Sequence, residues 1–151
     1  MKVKQIDFDT LKDYWIEVDH FKDPNKRIVE VIRYLGPHTT PYSSPKRTAY
    51  GMYTPDRELI GATQLVQWNE SHVRYRTLNI REEYRGVGLG WQLLRKAWID
   101  FKGLDSTDNL FGWIRHTHYD WAEAHGFTVI DDCWIDGHIG MERKMNDLRQ
   151  T

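Results

Sequence analysis

The segment that most restricts the fold of this chain is a glycine-rich stretch that joins a strand pattern to a helix pattern. It runs from Ile80 to Gly90 with the sequence IREEYRGVGLG, so three glycines stand at alternate positions. Glycines let the backbone turn tightly and approach a ligand closely, and the first amides of a helix are donors at the positive end of its dipole. The stretch therefore predicts a strand, a tight turn and a helix whose amino end suits an anion. Glycines that only tighten a turn and allow close helix packing are the alternative.

Two well-known phosphate motifs do not fit this stretch. The dinucleotide fingerprint requires Gly-x-Gly-x-x-Gly, whereas Gly86, Gly88 and Gly90 have a different spacing and follow a set of antiparallel strand patterns. The nucleotide P-loop ends in Gly-Lys-Ser or Gly-Lys-Thr, but Gly90 is followed by Trp91 and Gln92. Neither class of nucleotide-binding protein is indicated.

Hydrophobic periodicity predicts the element order β, α, α, three β, α, β, α, two β. The predicted strands are Lys2–Phe8, Thr48–Tyr53, Leu59–Trp68, His72–Ile80, Leu110–Arg115, Phe127–Ile130 and Cys133–Arg143, of which the second to fourth form an antiparallel meander. The predicted helices are one capped by Thr10 and ending near His20, one opened by Asp23-Pro24 and stopped by Gly36-Pro37, one over Gly88–Lys102, and one opened by a Thr117/Asp120 capping box and closed by Gly126. The stretch Gly36–Arg47 reads as an irregular loop. Helices that interrupt a mixed sheet indicate an α/β or α+β fold.

Length and charge narrow the functional classes. The chain has 151 residues, enough for about one domain over 1–151, and a formal charge of −1, which favours neither nucleic acid nor an anionic membrane as partner. Its single cysteine, Cys133, cannot form an internal disulfide, and the polar start lacks the apolar core of a signal peptide, so we expect a cytoplasmic protein. No apolar run approaches the ~20 residues of a membrane span.

At the glycine-rich stretch the sequence resembles the GNAT superfamily of acyl-CoA N-acyltransferases. Arg85-Gly86-Val87-Gly88-Leu89-Gly90 matches the Arg/Gln-x-x-Gly-x-Gly/Ala pyrophosphate loop of that family, and Glu83-Tyr84 is its usual lead-in. Downstream, Trp121–Phe127 is similar to its second signature, a short helix closed by Gly-Phe. The strand order and Gly61 in the third strand agree, so the resemblance covers nearly the whole chain.

The resemblance implies a mostly antiparallel sheet of about seven strands, helices on both faces, and a splay between strands four and five. It also implies an N-acetyltransferase that moves an acetyl group from acetyl-CoA to a primary amine of a small molecule or protein. The backbone of β-strand residues would pair with the pantetheine arm, as β-augmentation does, and the amide of Ile80 would meet the developing oxyanion. The implied cofactor-binding residues are Leu78, Asn79 and Ile80 for pantetheine, and Arg85, Gly86, Val87, Gly88, Leu89 and Gly90 for the pyrophosphate.

The catalytic residues are less well defined by the resemblance. Many members have, where this chain has Ala122, a tyrosine that acts as the general acid for the leaving thiolate. Tyr119, one turn earlier, is therefore the candidate acid in this chain, and His118 is a candidate base. Both also suit packing or capping roles. The fourth strand lacks the glutamate base of some members and carries Arg74 and Arg76 instead, which either pair with surface carboxylates or orient an anionic acceptor.

Three further expectations concern partners. The His116-x-His118 pair lacks other ligands at a suitable spacing, so no metal is expected. Edge strands near the carboxyl terminus make a homodimer an open possibility. The missing phenol at Ala122 leaves a second function open, a catalytically impaired CoA-binding domain with a regulatory or interaction role. The identity of the acceptor amine is not encoded in any motif.

Overall fold

The computed structural model describes residues 1–18, 46–102, 107–135 and 137–149, with side chains described except at 132–135 and 149. The strands in these ranges are β1 (Lys2–Ile6), β2 (Arg47–Tyr53), β3 (Leu59–Gln67), β4 (His72–Ile80), β5 (Asn109–Arg115), β6 (Thr128–Ile135) and β7 (His138–Lys144). The α-helices are α1 (Phe8–Glu17), α2 (Leu89–Phe101), α3 (Tyr119–Ala124) and α4 (Asn146–Arg149), with 3-10 turns at Glu82–Tyr84 and His116–His118.

The strands form one mixed seven-stranded sheet in the order β1-β2-β3-β4-β5-β7-β6. The pairs β1/β2, β2/β3, β5/β7 and β6/β7 are antiparallel. Strands β4 and β5 are parallel, and their register joins His72–Arg74 to Asn109–Phe111. The predicted mixed, mostly antiparallel sheet of about seven strands is therefore confirmed, and the fold is α+β.

The described residues fall into two compact units. The first contains 1–18, 47–66 and 75–102, and its helices α1 and α2 both contact β2. Leu11 and Tyr14 of α1 pack with Ala49 of β2, whereas the hydroxyl of the adjacent Tyr50 donates to Asp100 of α2 at 3.0 Å. Successive strand side chains point to opposite faces, so the two helices enclose this part of the sheet.

The second unit contains 46, 67–74, 107–135 and 137–149. Its core includes Phe111, whose ring meets those of Trp68 and His72 edge to face at 5.6 and 5.7 Å. The His72 ring lies 3.0 Å from an oxygen of Glu142 on β7, across the intervening strand β5. In this unit α3 contacts β5 and the 3-10 turn that precedes it.

The first strand and first helix divide at a different residue from the one predicted. The strand ends at Ile6 rather than Phe8, and the helix begins at Phe8. Asp7, not Thr10, is the N-cap, because its carboxylate accepts the Thr10 amide at 2.7 Å. Both residue types cap helices well, but the Asp7 carboxylate can reach an amide three residues later and thereby places Thr10 inside the first turn.

Two predictions in the carboxyl-terminal region are also wrong. Thr117 is not a cap, since it lies inside a 3-10 turn and α3 begins after His118 without a side-chain cap bond. The continuous strand predicted over Cys133–Arg143 is interrupted, because β6 extends to Ile135 and β7 starts at His138. Gly137, with φ of +72°, supplies the left-handed residue that the reversal requires.

Some predicted features lie outside the described residues: the end of the first helix near His20, the helix opened by Asp23-Pro24, and most of the loop Gly36–Arg47. Arg47 itself begins β2. Within the described ranges, none of the helices has the length and apolar character that crossing a membrane would require.

Candidate active site

The glycine-rich stretch forms the predicted strand, turn and helix. After β4, a single 3-10 turn is closed by the Tyr84 amide donating to the Arg81 carbonyl at 2.9 Å and by the Arg85 amide donating to Glu82 at 3.2 Å. The Arg85 side chain then turns back, and its Nε donates to the Ile80 carbonyl at 2.7 Å. The amide of Arg85 is thus engaged inside the turn, and its guanidinium ties the start of the loop to the end of β4.

Gly86 and Gly88 have left-handed backbones, with φ of +87° and +82°. Side chains are strained there. A Cβ built at either glycine meets no heavy atom within 4 Å, so the space above both residues is open. Close packing of the helix on a neighbouring element is therefore not the reason for these glycines. The two positions leave a backbone cradle that a ligand can approach closely.

The amino end of α2 completes this cradle. Gly88 is the N-cap, and the first helical hydrogen bond runs from the Gln92 amide to the Gly88 carbonyl at 3.2 Å. The amides of Leu89 and Gly90 precede that bond and have no acceptor inside the helix. Val87, between the two left-handed glycines, is 73% exposed. The open space above the two glycines leaves the main chain of this loop accessible beside the positive end of the helix dipole.

Side-chain charge around the cradle is nearly balanced. Arg81 and Arg85 are offset by the exposed Glu82 and Glu83. Arg81 is also paired with Glu17 of α1 at 2.9 Å, and this hydrogen-bonded pairing lowers the pKa of Glu17. An anion would therefore be held mainly by oriented amides.

The path of β4 is irregular just before the cradle. The Arg81 amide donates to Ile60, and the Trp68 amide donates to His72. Ile60 and Trp68 are eight residues apart, whereas their partners Arg81 and His72 are nine residues apart. The β4 side of the pair therefore contains one extra residue, as in a β-bulge. Thr77 lies in this interval with φ of +56°, an outlier for a β-branched residue.

Beyond the bulge, β4 is fastened to α1. The hydroxyl of Tyr14 lies 2.8 Å from Oδ1 of Asn79 and 3.1 Å from the Ile60 carbonyl, and both oxygens can accept its proton. Burial raises the pKa of Tyr14 to about 12, which keeps it protonated at neutral pH. The Arg81 guanidinium stacks over the Tyr14 ring at 5.2 Å, and its Nε donates to the Leu59 carbonyl at 2.8 Å. The side chain of Asn79 thus faces α1.

The candidate catalytic residues lie in the second unit. Tyr119 is half-buried at the start of α3, and its hydrogen bond to Glu123 raises its pKa. His118 is exposed and precedes the helix. Ala122 is fully buried and its carbonyl accepts the Phe127 amide at 3.0 Å, so this position serves the packing of the second unit.

Arg74 and Arg76 are both buried, 6% and 8% exposed. The Arg74 guanidinium lies 5.3 Å from the Trp68 ring centre. Val73 and Tyr75, on the opposite face of β4, are buried as well, so both faces of this strand are covered. The two roles expected for the arginines, pairing with surface carboxylates or orienting an anionic acceptor, stay predictions. Among described residues, we find no group of three His, Cys, Asp or Glu side chains arranged to hold a metal ion.

Solved structures with a similar fold cover nearly all of the chain. A GNAT-family acetyltransferase from Staphylococcus aureus Mu50 matches with a TM-score of 0.65 and 13% identity, over 96% of this chain and 99% of that one. A spermidine N-acetyltransferase chimera from Vibrio cholerae and hSSAT matches with 0.65 and 11% identity, over the full length of both. The PaiA N-acetyltransferase of Thermoplasma acidophilum, in complex with coenzyme A, matches with 0.63 and 17% identity, over 95% and 98%. The chain has the GNAT fold. No family model and no curated protein matches the sequence.

The glycine-rich stretch lies between β4 and α2, as the sequence predicted. Sequence reasoning missed two features beside it, the left-handed Thr77 and the contact between Tyr14 and Asn79. Thr77 carries no signal, because threonine rarely adopts positive φ. Tyr14 fits the apolar spacing of its helix with Leu11, Trp15 and Val18, and nothing in the local sequence shows that its hydroxyl would reach a strand 65 residues away.

Proposed function

We propose that this protein is an N-acetyltransferase that uses acetyl-CoA to acetylate a primary amine of a small molecule or protein. The observation that carries the proposal is the cradle at Gly86 and Gly88, where the backbone is left-handed and the space above it is open. The GNAT fold supports the same assignment, and similar structures include a spermidine N-acetyltransferase and a protein bound to coenzyme A.

The chain's own groups fit a CoA thioester. Amides from Gly86 to Gly90 would hold the pyrophosphate, as helix amino ends hold anions. The guanidinium of Arg85 would assist from the loop entrance. Main-chain groups of Leu78, Asn79 and Ile80 would pair with the amides of the pantetheine arm.

Acetyl transfer then requires few further groups. The amine nitrogen attacks the thioester carbonyl carbon, the C–S bond breaks, the amine loses a proton and the thiolate gains one. The Ile80 amide would stabilise the oxyanion, and much of the rate would come from holding the two reactants together.

Tyr119 and His118 are the proposed proton carriers. The raised pKa of Tyr119 keeps its phenol protonated at neutral pH, as an acid for the leaving thiolate requires. His118 is an exposed imidazole at the start of the same helix and would accept the amine proton. We propose a cytoplasmic setting, with acetyl-CoA and an amine as the partners.

Replacing Gly88 with glutamate tests the cradle. A carboxylate there would oppose the pyrophosphate, and like charges ~4 Å apart near a protein surface repel by about 4 kcal/mol. We expect Gly88→Glu to weaken acetyl-CoA binding by at least tenfold, measured by titration calorimetry, where tenfold is about 1.4 kcal/mol. Gly137→Glu is the matched control, because Gly137 is also exposed and left-handed but lies in the second unit. Equal affinities of the two variants would refute the cradle.

A CoA-binding domain without catalysis is the second candidate. It is favoured by Ala122, which is fully buried. Many members of the family that the sequence resembles have at this position a tyrosine that acts as the general acid. Thiol release from acetyl-CoA, followed with a chromogenic disulfide in the presence of polyamines, amino acids and lysine peptides, separates the two. Release that depends on one amine supports the enzyme, whereas tight CoA binding without release supports the binding domain.

A further inference from the structure

The left-handed conformation of Thr77 needs support from its surroundings. A β-branched residue at φ of +56° is strained, and such strain persists only where neighbouring structure enforces it. The hydroxyl of Thr77 is buried with no hydrogen-bond partner among the described residues, so it gives this conformation no support of its own. The support must come from residues that hold β4 on either side.

The nearest such contact beyond the bulge is made by Tyr14. Its hydroxyl, 2.8 Å from Oδ1 of Asn79, grips β4 two residues after Thr77, and its second acceptor is the Ile60 carbonyl on β3. Tyr14 is itself fixed, because it is only 2% exposed and the Arg81 guanidinium covers its ring. One rigid group on α1 thus connects β3 and β4 at the point where the extra residue is accommodated.

We propose that Tyr14 is a positioning residue for the thioester: by holding Asn79, it keeps β4 on its bulged path and so directs the main chain of Leu78–Ile80 toward the pantetheine arm. This inference rests on the proposed function. Tyr14 does not touch the substrate; it acts through Asn79. Without the Tyr14 hydroxyl, β4 would relax toward regular strand pairing with β3. The main-chain groups of Leu78–Ile80 would then no longer point toward the pantetheine arm.

Tyr50 provides a matched control. It is fully buried in the same unit, and its hydroxyl also makes a side-chain hydrogen bond, to Asp100 of α2 at 3.0 Å. That bond does not involve β4. Tyr14→Phe and Tyr50→Phe therefore each remove one buried phenol hydroxyl and its hydrogen bonds, but only the first removes a bond to Asn79.

The experiment compares acetyl-CoA affinity with thermal stability in both variants. We expect Tyr14→Phe to weaken acetyl-CoA binding by roughly tenfold, which corresponds to about 1.4 kcal/mol. Tyr50→Phe should lower the melting temperature about as much as Tyr14→Phe does, but it should leave the acetyl-CoA affinity within twofold of wild type. If both variants bind acetyl-CoA equally well, the inference is overturned. A wild-type protein that does not bind acetyl-CoA overturns the proposed function and this inference together.

Rescue by Thr77→Gly separates positioning from general packing. Glycine adopts the left-handed conformation without strain, so the bulge should no longer need Tyr14. The double variant Tyr14→Phe/Thr77→Gly should regain at least half of the lost fold-change in affinity. A double variant no better than Tyr14→Phe would contradict the role. If Tyr14→Phe fails to fold, Asn79→Ala, which breaks the same bond from β4, is tested with the same rescue and the same outcomes.

Discussion

Gly61 on β3 allows the packing behind the cradle to be tested quantitatively. A Cβ at this position would stand 2.5 Å from Cδ1 of Ile80, 3.3 Å from the Asn79 carbonyl oxygen and 3.5 Å from Leu93. The first distance is far below van der Waals contact. Because Ile80 is only 8% exposed, its side chain has little room to move away. We therefore predict that Gly61→Ala destabilises the protein through Ile80.

The magnitude follows from two opposing effects. Overpacking a core by one methyl group costs about 1–3 kcal/mol, whereas replacing glycine by alanine restricts the unfolded chain and returns about 0.4–1 kcal/mol. The net loss should be about 1 kcal/mol, or roughly 2–4 °C in melting temperature for a chain of this size. Ile80→Val alone should lose about 0.5–1.5 kcal/mol, because it removes Cδ1 and leaves a small cavity.

The double variant Gly61→Ala/Ile80→Val decides the matter. With Cδ1 gone, the new methyl group fills the space, so the double variant should be about as stable as Ile80→Val alone. Urea unfolding followed by circular dichroism gives the free energies of unfolding. The comparison requires that the dependence of this free energy on urea concentration is the same in all variants. Losses that add within about 0.5 kcal/mol would show that the two sites are independent and refute the reasoning.

Three further predictions concern the helices and the residue that caps the first of them. Asp7→Ala should lower the melting temperature at pH 7, and this difference should shrink as the pH falls below 3.8, because the Thr10 amide lowers the pKa of Asp7 and its contribution is lost on protonation. Leu94→Ala should lose about 2–5 kcal/mol in urea unfolding, whereas Ile99→Ala on the same helix, 54% exposed, should change stability by less than about 0.5 kcal/mol. Tyr119→Phe should lower kcat and leave the KM for acetyl-CoA unchanged, and Glu123→Gln should move the alkaline limb of the kcat profile to lower pH, since the bond to Glu123 raises the pKa of Tyr119; a profile that does not move would exclude Tyr119 as the acid.

The glycine-rich turn was predictable because its determinants are local. Strand, glycines and helix follow one another within Ile80–Gly90, and each residue type acts through its own backbone preferences. The order of strands and helices along the chain was predictable for the same reason, since alternation and helical spacing are read in short windows.

Features that depend on distant contacts were not predictable. The Tyr14–Asn79 bond joins residues 65 positions apart, and the burial of Arg74 and Arg76 depends on elements that pack over β4. Helix starts failed at a finer level: Asp7 and Thr10 are both good caps, and only the three-dimensional geometry decides which one accepts the bond.

The exposed loop between Gly86 and Gly88 also bears on how such a chain can change over time. In the proposed site the main chain would bind the ligand, so the side chains beside it would be free of that task, and the 73% exposed Val87 is an example. Substitutions can then accumulate around two small constrained positions while the ligand's surroundings stay the same. Proteins only 11–17% identical to this chain share its fold. Such divergence is what we expect when few positions are constrained.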